Sequence, residues 1–259
     1  MNEARVALVT GASRGIGRAV ALHLADAGFD VAALARPHHG DAAPCALGAL
    51  CRDIESRGRR CLTLHADVAD LAAHDDVVGR VYAAFNRLDV FVSNAGVAPD
   101  PRLDVLDMTT ESFDRVVGTN LRGAAFLAQA VARSFVARPD TRRSILFITS
   151  VSAERSSTDR AEYCVSKAGL SMFARVLADR LAPHDVGVFE VRPGIIRTDM
   201  TAAAAEKYDR LIPNGLVPQG RWGEPDDVAR VVVALARGDF AYSTGAIIDV
   251  SGGLSVPRL

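Results

Sequence analysis

Lysine is nearly missing from this 259-residue chain: among 30 basic residues the only lysines are Lys167 and Lys207. An excess of one charge sign is missing too, with Lys+Arg 30 against Asp+Glu 31 and a formal net charge of -1. That balance argues against a dedicated nucleic-acid binder, which carries a basic patch or stripe. No apolar run approaches the roughly 18–20 residues of a membrane span. The N-terminal MNEARVALVT lacks a basic-then-apolar signal segment, so no export is expected. Cysteine is scarce. Cys45, Cys51, Cys61 and Cys164 include no C-x-x-C pair, and no histidines stand near them at metal-ligand spacing. Reduced thiols in a cytoplasmic protein are the simplest expectation. No linker, repeat or low-complexity tract divides the chain. Apolar residues make up 49% and charged residues 24%, which suits a globular core and not a disordered chain.

What is present is an alternation of short apolar runs and helical patterns. Strands are expected at Arg5–Thr10, Asp30–Ala35, Arg60–His65, Asp89–Ser93, Ser144–Ser150, Gly187–Arg192 and Gly245–Val250. Helices are expected over Gly15–Gly28, Ala43–Ser56, Leu71–Arg87, Thr110–Val136, Glu162–Leu181 and Pro225–Arg237. The last starts on a proline, with Glu224 in the cap region. Strands separated by helices form right-handed crossovers. The expected fold is a single α/β domain of Rossmann type, a doubly wound seven-stranded parallel sheet with helices on both faces.

The first strand runs into Thr10-Gly11-Ala12-Ser13-Arg14-Gly15-Ile16-Gly17. Glycines after a strand let the backbone turn tightly and approach a pyrophosphate, and the following helix offers it free N–H groups. The spacing is G-x-x-x-G-x-G, not the commoner G-x-G-x-x-G. A dinucleotide site also needs a residue after the second strand that reads the adenosine ribose. Ala35 stands where an acid selecting NAD would be, followed by Arg36. With Arg14 in the turn, two guanidiniums are available to a 2′-phosphate, so NADP(H) is the expected cofactor, with NAD(H) as the alternative.

Tyr163 and Lys167 lie four apart on a predicted helix and share a face. A phenol has a reference pKa of about 10, and a nearby ammonium lowers it. Such a tyrosine exchanges a proton with a carbonyl or alcohol oxygen. Ser150 lies 13 residues before Tyr163, and is expected to close the fifth strand on the rim where ligands bind. Asn94-Ala95-Gly96 follows the fourth strand on that rim, and Asn120 falls inside the next helix. Ser152 is read as a substrate-side or structural hydroxyl. Cys164 is read as a packing residue, and Asp249, Glu190, Asp226 and Asp227 as strand-end, surface and helix-start charges.

Together these residues resemble the short-chain dehydrogenase/reductase family, most of all its 3-oxoacyl-acyl-carrier-protein reductase-type members. The resemblance runs from Thr10–Gly17 through Asp67-Val68, Asn94-Ala95-Gly96, Asn120, Ser150, Tyr163-x-x-x-Lys167 and Pro193-Gly194 with Thr198, to Ser251-Gly252-Gly253. It implies hydride transfer between a nicotinamide cofactor and a carbonyl or secondary alcohol, without a metal. Tyr163 would be the acid/base. Lys167 would lower its pKa and hold the nicotinamide ribose, Ser150 would bind the substrate oxygen, and Asn120 would hold a relay water. Asp67 and Val68 would contact adenine, Asn94 the adenosine ribose, and Ile196 and Thr198 the nicotinamide amide. The family also implies a homotetramer built on the Thr110–Val136 and Glu162–Leu181 helices, and a substrate lid at about 199–222. Trp222 in that segment either covers substrate or anchors the lid.

The substrate stays open at this stage. An acyl carrier protein is acidic, and Arg133, Arg138, Arg142 and Arg143 are candidates for a basic patch near the site mouth. His184, however, stands where a basic docking residue is expected. Ser152–Glu162 is strongly polar beside Tyr163, which suits a sugar, polyol or other small polar alcohol. A non-catalytic dinucleotide-binding regulator would not need all four of Asn120, Ser150, Tyr163 and Lys167. No nucleic-acid or membrane partner is expected.

Overall fold

A computed structural model of the chain describes residues 4–37, 46–139 and 142–257. Seven parallel strands form one sheet: β1 Val6–Thr10, β2 Asp30–Ala35, β3 Cys61–His65, β4 Val90–Ser93, β5 Arg143–Ile148, β6 Val186–Pro193 and β7 Ile247–Val250. Their spatial order is β3-β2-β1-β4-β5-β6-β7. The order reverses between β1 and β4, where Ala7, Leu8 and Val9 pair with Val90, Phe91 and Val92. A crevice opens at such a switch point, beyond the C-terminal strand ends.

Alternation along each strand feeds two cores. Ala7, Val9, Val31 and Ala33 face one side, with Val20 and Leu24 of α1 (Gly15–Asp26), Leu47, Leu50 and Ile54 of α2 (Ala46–Glu55), and Val228 and Val232 of α9 (Pro225–Arg237). Val6, Leu8 and Phe91 face the other, with Val77 and Val81 of α3 (His74–Phe85), Leu127 and Phe135 of α5 (Ala124–Val136), and Leu170 and Ala174 of α6 (Ala161–Leu181). Strands covered on both faces read as continuous apolar runs, as VALVT and DVAALA do. The α9 start is as expected: Pro225 is its first residue, and Glu224 and Asp227 cap each other reciprocally. No helix among the described residues is long and apolar enough to cross a membrane.

Four expectations need correction. The expected Thr110–Val136 helix is α4 (Thr110–Val117), one wider π-type turn at Gly118–Gly123, then α5, and Asn120 sits in that wider turn. The fifth strand ends at Ile148, so Ser150 lies beyond it as the cap of a short turn, Val151–Ala153. Cys51 on α2 and Cys61 at the start of β3 are joined in a disulfide. The reading of reduced thiols is therefore wrong for this pair, and its support for a cytoplasmic location falls with it. The hairpin return from α2 into β3 makes the contact, which spacing alone did not show. Finally, Glu190 is only 2% exposed; it lies inside the protein, not at its surface. The expected second helix, Ala43–Ser56, begins in a segment outside the described residues, and Cys45 lies there too.

Candidate active site

One cleft runs along the C-terminal strand ends. Its walls include Gly11, Ser13, Arg14, Gly15, Ile16 and Gly17 from the first turn, and Arg36, Asp67 and Val68 from the ends of β2 and β3. Asn94, Ala95 and Gly96 follow from β4, then Ser150, Tyr163 and Lys167, and Pro193, Gly194, Ile196 and Thr198 after β6. These sequence-selected residues come from distant segments and meet in one place. Asn120 is not on the wall.

The glycine turn is built for close approach. Gly11 has φ +65°, and a Cβ on Gly17 would lie 2.2 Å from the Gly11 carbonyl oxygen. The first turn of α1 has no side-chain cap from Arg14. Its amides therefore stand at the cleft with the positive end of the helix dipole, as a pyrophosphate requires. Thr10, which sequence reading did not select, braces this turn: its hydroxyl accepts from the Asn94 and Ala95 amides at 2.9 Å each. Asn94 Nδ2 donates to the Thr10 carbonyl at 2.9 Å. Its amide is thus tied to the turn, a scaffold part in addition to any contact with ribose.

Both arginines expected to grip a 2′-phosphate already face carboxylates. Arg14 Nη1 lies 3.1 Å from Asp199, and Arg36 Nη1 lies 3.9 Å from Asp67. The Asp199 and Asp67 side chains are both partly open to water, so these pairs are weak and exchangeable. The two guanidiniums expected to be available to a 2′-phosphate are thus each already beside a carboxylate.

Tyr163 and Lys167 share one face of α6, as their spacing requires. Lys167 is 4% exposed, and its Nζ donates to the Ile148 carbonyl at 3.0 Å. Burial lowers its pKa to about 8, opposed by the negative charge of Glu190. Tyr163 behaves differently from expectation. Burial pushes its phenol up, partly offset by a hydrogen bond with Ser150 and by the charge of Arg160. Lys167 Nζ lies 5.7 Å from the Tyr163 ring centroid. The chain alone therefore keeps the phenol protonated.

The Asn120 side chain makes three hydrogen bonds. Nδ2 donates to the Val97 carbonyl at 2.9 Å and to Ser166 Oγ at 3.2 Å. Oδ1 accepts from the Val97 amide at 2.7 Å. It ties the loop after β4 to α6 with both amide hydrogens in use, while Oδ1 keeps a second lone pair.

The strongest feature missed in the sequence is a buried charged network under the site. Glu190 on β6 accepts from Thr149 Oγ1 at 2.6 Å, from Ser171 Oγ at 2.7 Å and from Arg192 Nε at 2.6 Å. Arg192 also donates to Ser171 Oγ at 2.9 Å and reaches Glu154 at 2.5 Å. Thr149 lies between Ile148, which holds Lys167, and Ser150. Ser171 is one turn beyond Lys167 on α6. The network thus joins β5, β6 and α6 where they present Ser150 and Lys167.

The family described as enoyl-(acyl carrier protein) reductase matches residues 11–255. The L-rhamnose 1-dehydrogenase (NAD(P)(+)) of Sphingomonas sp. (strain SKA58) is 36% identical over 255 residues, spanning 98% of this chain and 97% of that protein. The 3-oxoacyl-[acyl-carrier-protein] reductase of Escherichia coli (strain K12) is 36% identical over 252 residues, spanning 97% and 98%. The chain belongs to the short-chain dehydrogenase/reductase family. A crystal structure of 3-oxoacyl-[acyl-carrier protein] reductase from Brucella melitensis in complex with NAD matches with a TM-score of 0.93 and 44% identity, over 100% of both chains.

This short-chain dehydrogenase/reductase is an oxidoreductase that uses a nicotinamide dinucleotide. Its substrate end departs from the sequence expectation at the proposed basic patch, and it decides between the two roles left open for Trp222. Arg133 and Arg138 lie toward or just past the end of α5, and Arg142 and Arg143 lie at the start of β5. That is the opposite edge of a parallel sheet from the cleft. Arg143 is buried and donates to the Phe135 carbonyl at 3.0 Å. These four do not form a patch at the site mouth. Trp222 is 7% exposed and packs with Ile212 and Val217. It donates to Asp209 at 2.7 Å and meets the Tyr208 ring edge-on at 5.6 Å. It anchors the segment after β6, and Tyr208 lines the cleft in its stead, with Met200, Arg102 and Arg160. Ser152 is buried off the wall, its amide donating to Ser150 Oγ at 3.1 Å.

Proposed function

We propose that this enzyme interconverts a ketone and a secondary alcohol on a small polar substrate, with Tyr163 as proton donor and acceptor. The observation that carries the reading is that Tyr163, Ser150 and Lys167 line one cleft whose wall also bears Arg102 and Arg160. Bound along the glycine turn, a nicotinamide dinucleotide supplies or accepts the hydride. Gly11, Ser13, Arg14, Gly15, Ile16 and Gly17 would hold its pyrophosphate, Asp67 and Val68 its adenine, and Lys167, Ile196 and Thr198 its nicotinamide end. Ser150 positions the substrate oxygen. Tyr163 gives it a proton in reduction and takes one in oxidation. We read Arg36 after Ala35 as favouring NADP(H). The segment 199–222 serves as a lid, anchored by Trp222.

A second reading, reduction of a 3-oxoacyl thioester on an acyl carrier protein, is favoured by the two 3-oxoacyl-[acyl-carrier-protein] reductases named above and by Val97, Ala98 and Met200 on the wall. Initial rates on acetoacetyl thioesters and on sugars, polyols and hydroxy acids, each with NADPH/NADP and NADH/NAD, separate the readings. The polar panel is expected to win, with NADP(H) preferred. Thioesters turned over fastest would replace the first reading, and a tenfold NAD(H) preference would sink the cofactor assignment.

Assembly follows from α6 and α5, where Val165, Met172, Val176 and Phe126 are exposed apolar side chains. A homotetramer burying this face is the proposed state, and a monomer in light scattering at micromolar concentration would contradict it.

Lys167 sets a pH dependence. Its pKa falls from 10.5 in an unperturbed chain to about 8 here. Between those values the unfolded chain holds a proton the native state has lost, so this group makes stability rise with pH across that window. Activity moves the other way. The value of kcat/KM for cofactor reports free-enzyme groups and is expected to decline above about pH 8, as the ammonium that meets the ribose is lost. A profile flat to pH 10 would remove Lys167 from cofactor capture.

A further inference from the structure

Four arginines line the cleft, and they divide by partner. Arg14 and Arg36, at the cofactor end, each face an aspartate. Arg102 and Arg160, at the Tyr163 end, have no carboxylate within ion-pair distance among the described residues. Arg160 is the residue before α6, and its Cζ lies 5.7 Å from the Tyr163 ring centroid. Its Nε is buried without a hydrogen-bond partner. Among the described residues one other buried side-chain polar atom shares that condition, Ser144 Oγ, on β5 and away from the cleft. A buried N–H left unmade costs free energy that a bound acceptor recovers.

The neighbouring acids do not satisfy this need. Asp159 accepts from Ser157 Oγ at 2.6 Å, and the charges of Arg160 and Arg102 both act on it. Glu154 is held by Arg192, and Asp199 by Arg14. Counting Arg102, Arg160 and Asp159 together leaves one net positive charge at the Tyr163 end of the cleft. The planar fork of a guanidinium matches a carboxylate.

We infer that Arg102 and Arg160 bind a carboxylate of the substrate, so that the enzyme acts on a hydroxy acid or oxo acid whose reacting carbon lies a few atoms from that carboxylate. This rests on the proposed polar-substrate reading and deepens it. A phosphate at the far end of a pantetheine arm would not meet the demand, because Arg160 stands against Tyr163 itself. The reaction stays as described: proton to or from Tyr163, hydride to or from the nicotinamide, with the carboxylate unchanged.

The test is titration calorimetry of the enzyme saturated with oxidised cofactor. The probes are 3-hydroxybutyrate and gluconate, each against its neutral amide. At least one acid is expected to bind ten or more times tighter than its amide. In Arg160→Met and in Arg102→Met that ratio should fall toward one, and Arg102→Lys should keep most of it. Circular dichroism of each variant checks folding, and Arg102, on a surface loop, gives a second route if Arg160→Met is unstable. Acids binding no better than amides, or a ratio unchanged in both methionine variants, would overturn the carboxylate site. Turnover of neutral sugars or polyols with no acid preference would overturn it while sparing the polar-substrate reading; preferred turnover of acetoacetyl-coenzyme A would overturn both.

Discussion

Replacing Tyr163 with phenylalanine is expected to lower kcat by about 10²–10⁴-fold, the range that one positioned acid/base supplies. The substitution removes one oxygen from a half-buried ring and leaves the ring packed. Cofactor affinity should be nearly unchanged, because the glycine turn, Arg36 and Lys167 are untouched. Burial pushes the phenol up and keeps it protonated, and Ser150 lines the same cleft. A protonated phenol is the form that donates to a carbonyl oxygen, and since the variant cannot change the equilibrium, kcat/KM should fall by the same factor in both directions. Steady-state rates in both directions, with cofactor binding followed by fluorescence, check this. Activity of the variant within threefold of wild type would mean that the proton comes from elsewhere and would overturn the assignment.

Glu190→Ala is expected to destabilise the fold by about 3–5 kcal/mol, the usual cost of leaving a buried ion unpaired. Arg192 is 4% exposed and would keep Ser171 Oγ and, as its one carboxylate, Glu154, whose own side chain is 63% exposed. Ser171 would lose its acceptor at the same time, and Thr149 would keep only the Val191 carbonyl at 3.4 Å. The double variant Glu190→Ala with Arg192→Met should recover much of the loss, because it removes the stranded charge and not just its partner. Urea unfolding of the wild type, single and double variants measures both effects. A single variant that loses under 1 kcal/mol would mean the network is effectively solvated. Glu190→Gln offers a finer reading. It keeps hydrogen-bond capacity but removes the charge that supports the Lys167 ammonium, so the high-pH decline in kcat/KM should move to lower pH.

The parts legible in the sequence were those with a local physical cause. Gly11, Gly15 and Gly17 mark a turn because no other residue tolerates its backbone and close approach. Tyr163 and Lys167 share a face because a helix repeats every 3.6 residues. Pro225 opens α9 because its fixed φ suits a first turn. The helix Thr110–Val136 was read as uninterrupted because a π-type turn leaves the apolar period almost intact. Ser150 was placed on a strand because SILFITS stays β-like past the point where pairing ends. Glu190 was taken for a surface charge since a lone Glu in GVFEVR gives no sign of Arg192, Thr149 and Ser171 closing around it. Arg102, Arg160 and Tyr208 carried no local signal at all.

Lysine scarcity pointed to Lys167, and spacing alone placed Tyr163 beside it on one helical face, within a parallel α/β sheet. Periodicity and turn chemistry act over a few residues, so the sequence determined these by itself. Which charges are paired, which are buried, and which guanidinium lacks a partner depend on segments more than 40 residues apart, such as Arg102 and Arg160. Only the tertiary structure decided those, because the energy of a charge is set by what the folded chain brings within hydrogen-bond distance and by how much water it excludes.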